Sequence, residues 1–204
     1  MNSAHAVDRL RHQKVLVKTA LRSAGVRESD SPFVDLTDCG LRGQIEIPMN
    51  NLPKDIAQLV NNLCREGDRF AGIDQFLDAI DKYQAAWSLL PAPPQQWPAA
   101  TWILLSIGDA YYWQADFHSG ARFLLEAATC PEGDSNPYLC LRLGQCLFEV
   151  GRLDEAANAL EAALRGGGHE LFEGEDTKYL QFVKTQQRIL NITPTARRFN
   201  RPLP

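Results

Sequence analysis

A spacing of small and apolar residues recurs three times along this chain and constrains its fold more than any other feature. In the third copy the spacing is formed by Gly144, Gly151, Leu153, Ala156, Leu160 and Ala163. The two upstream copies are Gly108, Ala115, Phe117, Gly120, Leu124 and Ala127, and Gly67, Asp74, Phe76, Ala79, Tyr83 and Ala86. Apolar residues three and four positions apart share one face of a helix. The spacing therefore predicts three helix-turn-helix units, in which each small residue allows two helices to approach closely.

This pattern resembles the tetratricopeptide repeat, which has small residues at positions 8 and 20, a turn between them, a bulky residue at position 24 and alanine at position 27. The three repeats span residues 60–93, 101–134 and 137–170. The chain departs from the family at position 4, where Leu63, Leu104 and Cys140 replace tryptophan. A proline-rich insertion at 92–99 lengthens the first connection. The resemblance implies an all-α, TPR-like solenoid.

The segments outside the repeats complete the predicted domain organisation. We predict an N-terminal amphipathic helix at 1–31, an extended or hairpin-like segment at 32–50, a solenoid at 51–191 with a capping helix at 176–190, and a flexible tail at 192–204. The extended segment is most β-like near 33–48, where Ile45 and Ile47 flank Glu46. The N-terminal helix is basic on its polar side, so it either packs on the repeats or another subunit, or binds a partner or a membrane surface.

Composition and cysteine usage limit the class of protein. The net charge of −4 gives no overall basic field for nucleic acid, and no apolar run approaches the roughly 18 residues of a membrane helix. The N-terminus lacks the apolar core of a signal peptide. The five cysteines form no Cys-x-x-Cys pair, and an odd number does not complete a set of disulfides. We therefore expect buried, reduced thiols and a cytoplasmic location.

The sequence contains no motif that predicts catalysis. Its four histidines form neither His-x-x-x-His nor His-Glu-x-x-His, and no cysteine spacing matches a zinc site. Phosphate loops and the Gly-x-Ser-x-Gly nucleophile motif are also missing. The Asp116 and His118 pair lies at a predicted turn, where helix capping explains it. We expect a non-enzymatic protein with no cofactor and no metal site.

A partner-binding site follows from the resemblance. In the tetratricopeptide family, positions 2, 5, 9, 12 and 13 of each repeat line a concave groove. The residues of this chain at those positions that we predict to bind a partner are Asp68, Trp102, Leu105, Asp109, Tyr112, Trp113, Tyr138, Leu141, Gln145, Phe148 and Glu149. Such an aromatic and acidic groove suits a partner with hydrophobic side chains and some positive charge. The alternative is that these residues are core, or that the N-terminal segment covers them.

The function predicted from these features is protein–protein interaction through the groove. We favour an immunity-type protein that neutralises a cognate bacterial toxin or effector, because a small acidic repeat protein suits a basic toxin. One alternative is a TPR chaperone for a secreted protein of the type III translocator kind. Another is a homo-oligomeric scaffold, for which a homodimer is the simplest form. The family's carboxylate-clamp groove requires lysine and asparagine at positions where this chain has Leu105 and Asp109. We expect neither nucleic-acid binding nor membrane insertion.

Overall fold

The computed structural model describes residues 52–192, which form α-helices and short 3-10 helices without a strand. The seven α-helices are α1 (Lys54–Ala71), α2 (Phe76–Ser88), α3 (Pro98–Trp113), α4 (Phe117–Ala128), α5 (Pro137–Glu149), α6 (Leu153–Gly167) and α7 (Thr177–Ile192). Two 3-10 helices cover Pro94–Gln96 and His169–Phe172. The predicted all-α class is confirmed for this part of the chain. The helix predicted at 1–31, the extended segment predicted at 32–50 and the tail beyond Ile192 lie outside the described residues.

Consecutive helices pack in pairs, and the pairs stack into a solenoid. Helix α1 packs on α2, α3 on α4, and α5 on α6. The pairs are joined by contacts of α2 with α3 and of α4 with α5, and the first helices α3 and α5 also touch. Helix α3 is buried along most of its length, because it contacts helices of all three pairs. The array is TPR-like, as the resemblance implied.

The recurring glycine spacing exists because the two helices of each pair cross at that point. A Cβ atom on Gly108 would lie 2.5 Å from Cγ of Leu124, and one on Gly144 would lie 2.5 Å from Cγ of Leu160. Gly67 meets the ring of Tyr83 in the same way. Side chains at these positions would therefore force the helices apart. The small residue at position 8 and the bulky residue at position 24 of each repeat are therefore in direct contact in all three helix pairs.

The turn inside each pair has one residue in the left-handed region. Asp74 has φ = 64°, Ala115 has φ = 60° and Gly151 has φ = 79°. These residues occupy the same position of the three repeats. Because a Cβ atom is strained in this region, glycine is the residue best suited to the position and alanine is the least suited of the three.

We expect Ala115→Gly to stabilise the protein by up to about 1 kcal/mol, because it removes the strain of a left-handed alanine at some cost in unfolded-chain entropy. The matched control is Gly151→Ala, which introduces that strain where nothing lies within 4 Å of the added Cβ atom. It should destabilise by about 1 kcal/mol. Urea midpoints of both variants measure the effect. A loss of stability in Ala115→Gly would contradict the strain argument.

Several helices begin at residues that the sequence marks as helix starts. Proline is the first residue of α3 and of α5. The side chain of Asn136 accepts hydrogen bonds from the backbone of Tyr138 and Leu139, and Asp116 accepts one from Ser119 N. The predicted capping role of Asp116 is therefore confirmed. Hydrogen bonds from the side chain and then the backbone of Ser119 hold the pKa of this carboxyl below its usual value.

The C-terminal end of the array is covered by the chain itself. Helix α6 runs through Gly166 and Gly167, the first two of three consecutive glycines, and stops at the third, Gly168, which has φ = 68°. The 3-10 helix that follows buries Leu171 and Phe172, and α7 buries Tyr179 and Val183. Repeat arrays need such an element, because the last pair otherwise exposes an apolar face.

The cysteines among residues 52–192 are free and buried: Cys64, Cys130, Cys140 and Cys146. Burial raises the pKa of each thiol, that of Cys146 to about 12. These thiols therefore pack as small apolar residues at neutral pH. None of the described helices is long and apolar enough to cross a bilayer.

Candidate partner-binding face

The predicted groove residues divide into a buried set and a partly exposed set. The buried residues are Trp102, Leu105, Tyr138, Leu141 and Gln145, none of which is more than 8% exposed. The partly exposed residues are Asp68, Asp109, Tyr112, Trp113, Phe148 and Glu149. We call this second set the inner face. Among the predicted groove residues, those of the inner face keep part of their exposure, whereas the buried set is part of the core.

At the centre of this region lies a buried arginine that the sequence analysis did not single out. Arg142 of α5 is fully buried, and its Nε atom donates a hydrogen bond of 2.6 Å to Oδ1 of Asp109 on α3. Its Nη1 and Nη2 atoms donate to Oε1 of Gln145 and to Oη of Tyr138, each at 2.8 Å. Tyr138 in turn donates to Oδ1 of Asp109 at 2.8 Å. The network joins the second and third helix pairs.

A second carboxylate reaches Arg142 from the segment that follows α6. Glu175 is 4% exposed, and its Oε1 atom lies 3.8 Å from Nη1 of Arg142. Nε2 of Gln145 donates a hydrogen bond of 2.7 Å to Oε2 of Glu175. One guanidinium therefore lies between two carboxylates. Burial by itself would lower the pKa of Arg142, but Tyr138, Asp109 and Glu175 raise it well above its usual range.

Aromatic rings enclose the guanidinium group on its remaining sides. Its Cζ atom lies 4.0 Å from the ring centroid of Tyr112, 5.2 Å from that of Trp113 and 5.3 Å from that of Tyr138. These distances are typical of cation–π contacts. Nε1 of Trp113 also donates to Oδ2 of Asp109 at 3.2 Å. The half-buried rings of Tyr112 and Trp113 are thus held against a fixed charge.

Helix α7 covers the C-terminal part of the inner face. The ring of Phe148 contacts those of Tyr179 and Phe182 at centroid distances of 5.5 and 5.1 Å. Oη of Tyr179 donates to Oε1 of Glu149 at 2.8 Å, and Nζ of Lys178 lies 2.7 Å from the same atom. The contact with Glu149 raises the pKa of Lys178. Phe148 and Glu149 therefore hold α7 as well as forming part of the face.

Asp68 occupies the other end of the inner face, on α1. Oη of Tyr83 donates a hydrogen bond of 2.8 Å to Oδ1 of Asp68. Burial raises the pKa of Tyr83, and the charge of Asp68 raises it further. The first pair thus also places a carboxylate on this side, bound to the tyrosine that packs against Gly67.

The sequence carried one signal for the residues that the analysis missed. Arg142 is the one charged residue between Pro137 and Phe148, in a helix that is otherwise apolar except for Gln145. An isolated charge among apolar residues of a buried helix indicates a buried ion pair. Glu175 and Tyr179 had no comparable signal, because they lie in a polar segment and in an ordinary amphipathic helix.

The side chains around Arg142 form a network of ion pairs and hydrogen bonds, and their arrangement does not suggest a reaction. No group of three or more His, Cys, Asp or Glu side chains that could hold a metal ion occurs within residues 52–192. The carboxylates of Asp109 and Glu175 both contact the same guanidinium. Both are therefore held as charged partners of Arg142, which is the role of ion pairs that join elements of a fold.

Comparisons with known proteins give a limited result. No family model matches the chain, and no curated protein matches it. Among solved structures, the crystal structure of the Sgt2 TPR domain from Aspergillus fumigatus is similar, with 21% sequence identity and a TM-score of 0.46. The similarity covers 71% of this chain and 85% of that chain.

Proposed function

We propose that this chain is a non-enzymatic module that binds a basic partner protein through its inner face. The observation that carries the proposal is the pair of half-buried rings of Tyr112 and Trp113, of which Trp113 donates a hydrogen bond to the partly exposed carboxylate of Asp109. Tyrosine and tryptophan supply large contact areas at a low cost in rotamer entropy, and they are enriched among the residues that dominate binding energy. Their rigidity here comes from the buried Arg142 network beneath them.

The charge of the helical array supports a basic partner. Residues 52–192 contain nineteen Asp and Glu side chains against eleven Lys and Arg side chains. On the inner face, Asp109 and Glu149 keep 26% and 21% of their side-chain exposure, although each has a cation beside it. Complementary charge steers association and disfavours acidic competitors.

The finer form of the proposal is an immunity-type protein that neutralises a cognate bacterial toxin or effector. Toxins that cleave nucleic acids have basic surfaces, because they bind phosphate backbones. An acidic face with rigid aromatic residues is suited to cover such a surface and to exclude its substrate. The support for this form is the charge and chemistry of the face.

The decisive experiment is to purify the tagged chain from its native cells and identify what co-purifies in stoichiometric amount. The partner is then produced alone and together with this chain. We expect one basic protein that arrests growth when it is produced alone and not when the chain is present. A secreted hydrophobic client without toxicity would instead favour the chaperone function, and self-association alone would favour the scaffold.

Once the partner is known, Trp113→Ala tests the face directly. We expect the dissociation constant to rise about 30-fold or more, as for a dominant interface tryptophan worth about 2 kcal/mol. The matched control is Trp87→Ala, which removes another half-buried tryptophan on α2, a second helix of a pair. Isothermal titration calorimetry and circular dichroism measure affinity and folding separately. Equal affinity of the two variants would exclude the inner face as the binding site.

A further inference from the structure

We propose that the N-terminal segment 4–24 docks on the inner face of the same molecule, as a basic occupant that a partner must displace. The inference deepens the proposed function, and only its final step, the competition with a partner, rests on that function. Charge, chain length and the chemistry of the face support the docking itself. It can be tested without any partner.

Charge is distributed very unequally along the chain. Residues 1–27 contain six Lys and Arg side chains against the single carboxylate of Asp8, whereas residues 52–192 carry a net charge of −8. Five of these basic residues lie in the segment itself, Arg9, Arg11, Lys14, Lys18 and Arg22, and Arg27 follows it. A cationic segment tied to an acidic array is attracted to it at an effective concentration in the millimolar range for a short flexible linker.

Acidic side chains on the inner face keep part of their exposure. Asp109 and Glu149 remain partly exposed, although Arg142 lies against the first and Lys178 against the second. Arg142 is fully buried, so its charge stabilises the network and is not presented to a ligand. An incoming lysine or arginine can therefore contact the carboxylates of Asp109 and Glu149.

The apolar side of the segment also matches the face. The sequence predicts a helix over 4–24 with one apolar side, formed by Val7, Leu10, Val17, Leu21 and Ala24. The partly exposed ring of Trp113 lies beside the carboxylate of Asp109, and the ring of Tyr112 contacts that of Trp113. An amphipathic helix in an apolar groove with charges at the edges is a common mode of recognition. The segment offers both parts of that mode.

The connection is long enough to reach any part of the face. The described chain begins at Leu52, beside the start of α1, and residues 25–51 separate it from the proposed docking helix. Fully extended, such a connection spans at most roughly 90 Å. The predicted helix would be about 30 Å long, and packed helices lie about 8–10 Å apart. Chain length therefore places no obstacle to docking across α1, α3 and α5.

The first experiment is zero-length carbodiimide cross-linking of the full chain, followed by mass spectrometry of the monomer. We expect cross-links from Lys14 or Lys18 to Asp68, Asp109 or Glu149. Lys82 provides an internal control, because its Nζ atom lies 2.6 Å from Glu66 and should react. The yield should not change on tenfold dilution.

The same experiment can overturn the inference. If the Lys82 control reacts and neither N-terminal lysine cross-links to the inner face, the segment does not dock there. The same conclusion follows if these lysines react only with carboxylates of the second helices, such as Glu126 or Glu155. Cross-links that occur only in a covalent dimer would make a second copy the occupant, which also contradicts the proposal.

The competition step is tested with charge-reversal variants of the full chain. Lys14→Glu combined with Lys18→Glu should strengthen partner binding, by about tenfold if the face is open in a tenth of the wild-type molecules. The control, Lys54→Glu with Arg165→Glu, makes the same change in net charge at exposed sites, and its affinity should stay within twofold of the wild-type value. Equal gains in both variants would contradict displacement. If the intramolecular cross-links form but no protein co-purifies with the chain, the proposed function is refuted and the docking still stands.

Discussion

Replacing Arg142 by alanine is expected to lower the free energy of unfolding by about 3–5 kcal/mol, because it removes the cation between the buried carboxylate of Glu175 and the half-buried one of Asp109. Asp109 and Glu175 both lie against this guanidinium, and Gln145 and Tyr138 lose their donor. Urea unfolding monitored by circular dichroism gives the change in midpoint.

An exposed arginine serves as the control for this prediction. Arg165 keeps 74% of its side-chain exposure and lies 3.6 Å from Glu161 on the same helix. Its replacement by alanine should cost less than about 0.5 kcal/mol, as for other exposed ion pairs. If the two alanine variants lose similar stability, the Arg142 network does not hold the second pair, the third pair and the C-terminal segment together. Should Arg142→Ala not fold at all, Arg142→Lys keeps the charge without the forked geometry and should show an intermediate loss.

Introducing valine at Gly144 is expected to destabilise the third helix pair by about 3 kcal/mol, the upper part of the usual range for overpacking. Even a single added Cβ atom would lie 2.5 Å from Cγ and 2.8 Å from Cδ2 of Leu160. Helices α5 and α6 would have to separate, and both contribute fully buried residues to the core. The urea midpoint again measures the effect.

A double-mutant cycle separates overpacking from other causes. Leu160→Ala alone should cost about 2–5 kcal/mol, because it leaves a cavity. Combined with Gly144→Val, it provides the space that the valine needs, so the double variant should lose at least about 1 kcal/mol less than the sum of the single losses. Strict additivity would show that the two side chains do not compete for the same volume. The pair Gly108 and Leu124 offers an independent repetition of the cycle.

The buried ion network explains how a repeat array of ordinary composition obtains a defined C-terminal end. Apolar contacts of α7 with α5 and α6 are non-directional and tolerate sliding. The hydrogen bond of 2.7 Å from Gln145 to Glu175 is directional and leaves little freedom in the segment that precedes α7. Tyr179 and Lys178 then contact Glu149. The network therefore fixes where the chain crosses the inner face.

Local sequence patterns were sufficient to predict the helix pairs. Gly67, Gly108 and Gly144 are each separated from their bulky partner by the same number of residues, so the close contact between helices is recorded directly in the sequence. Proline at the start of α3 and α5 marks helix starts in the same local way. Glycine is a less reliable signal for the end of a helix. Helix α6 runs through Gly167, because glycine only weakens a helix and does not end it unless the backbone turns.

The site was predicted less completely than the fold. Family positions identified Asp109, Tyr112 and Trp113, and the structure places these three together around Arg142. The same positions also selected Leu141 and Gln145, which are fully buried. A position in a repeat defines the direction of a side chain relative to its own helix. It contains no information about which later segment of the chain covers that side chain.

The sequence by itself determined that this protein is an array of helix pairs. The contacts within a pair join residues that are close in the chain, and the same spacing of contacting residues recurs in each repeat. Only the tertiary structure decided which part of the inner face is covered by helix α7 and the segment before it. Glu175, Tyr179 and Phe182 reach Arg142, Gln145, Glu149 and Phe148 across about thirty residues or more. Such contacts depend on the three-dimensional path of the chain after α6, and local periodicity does not encode that path.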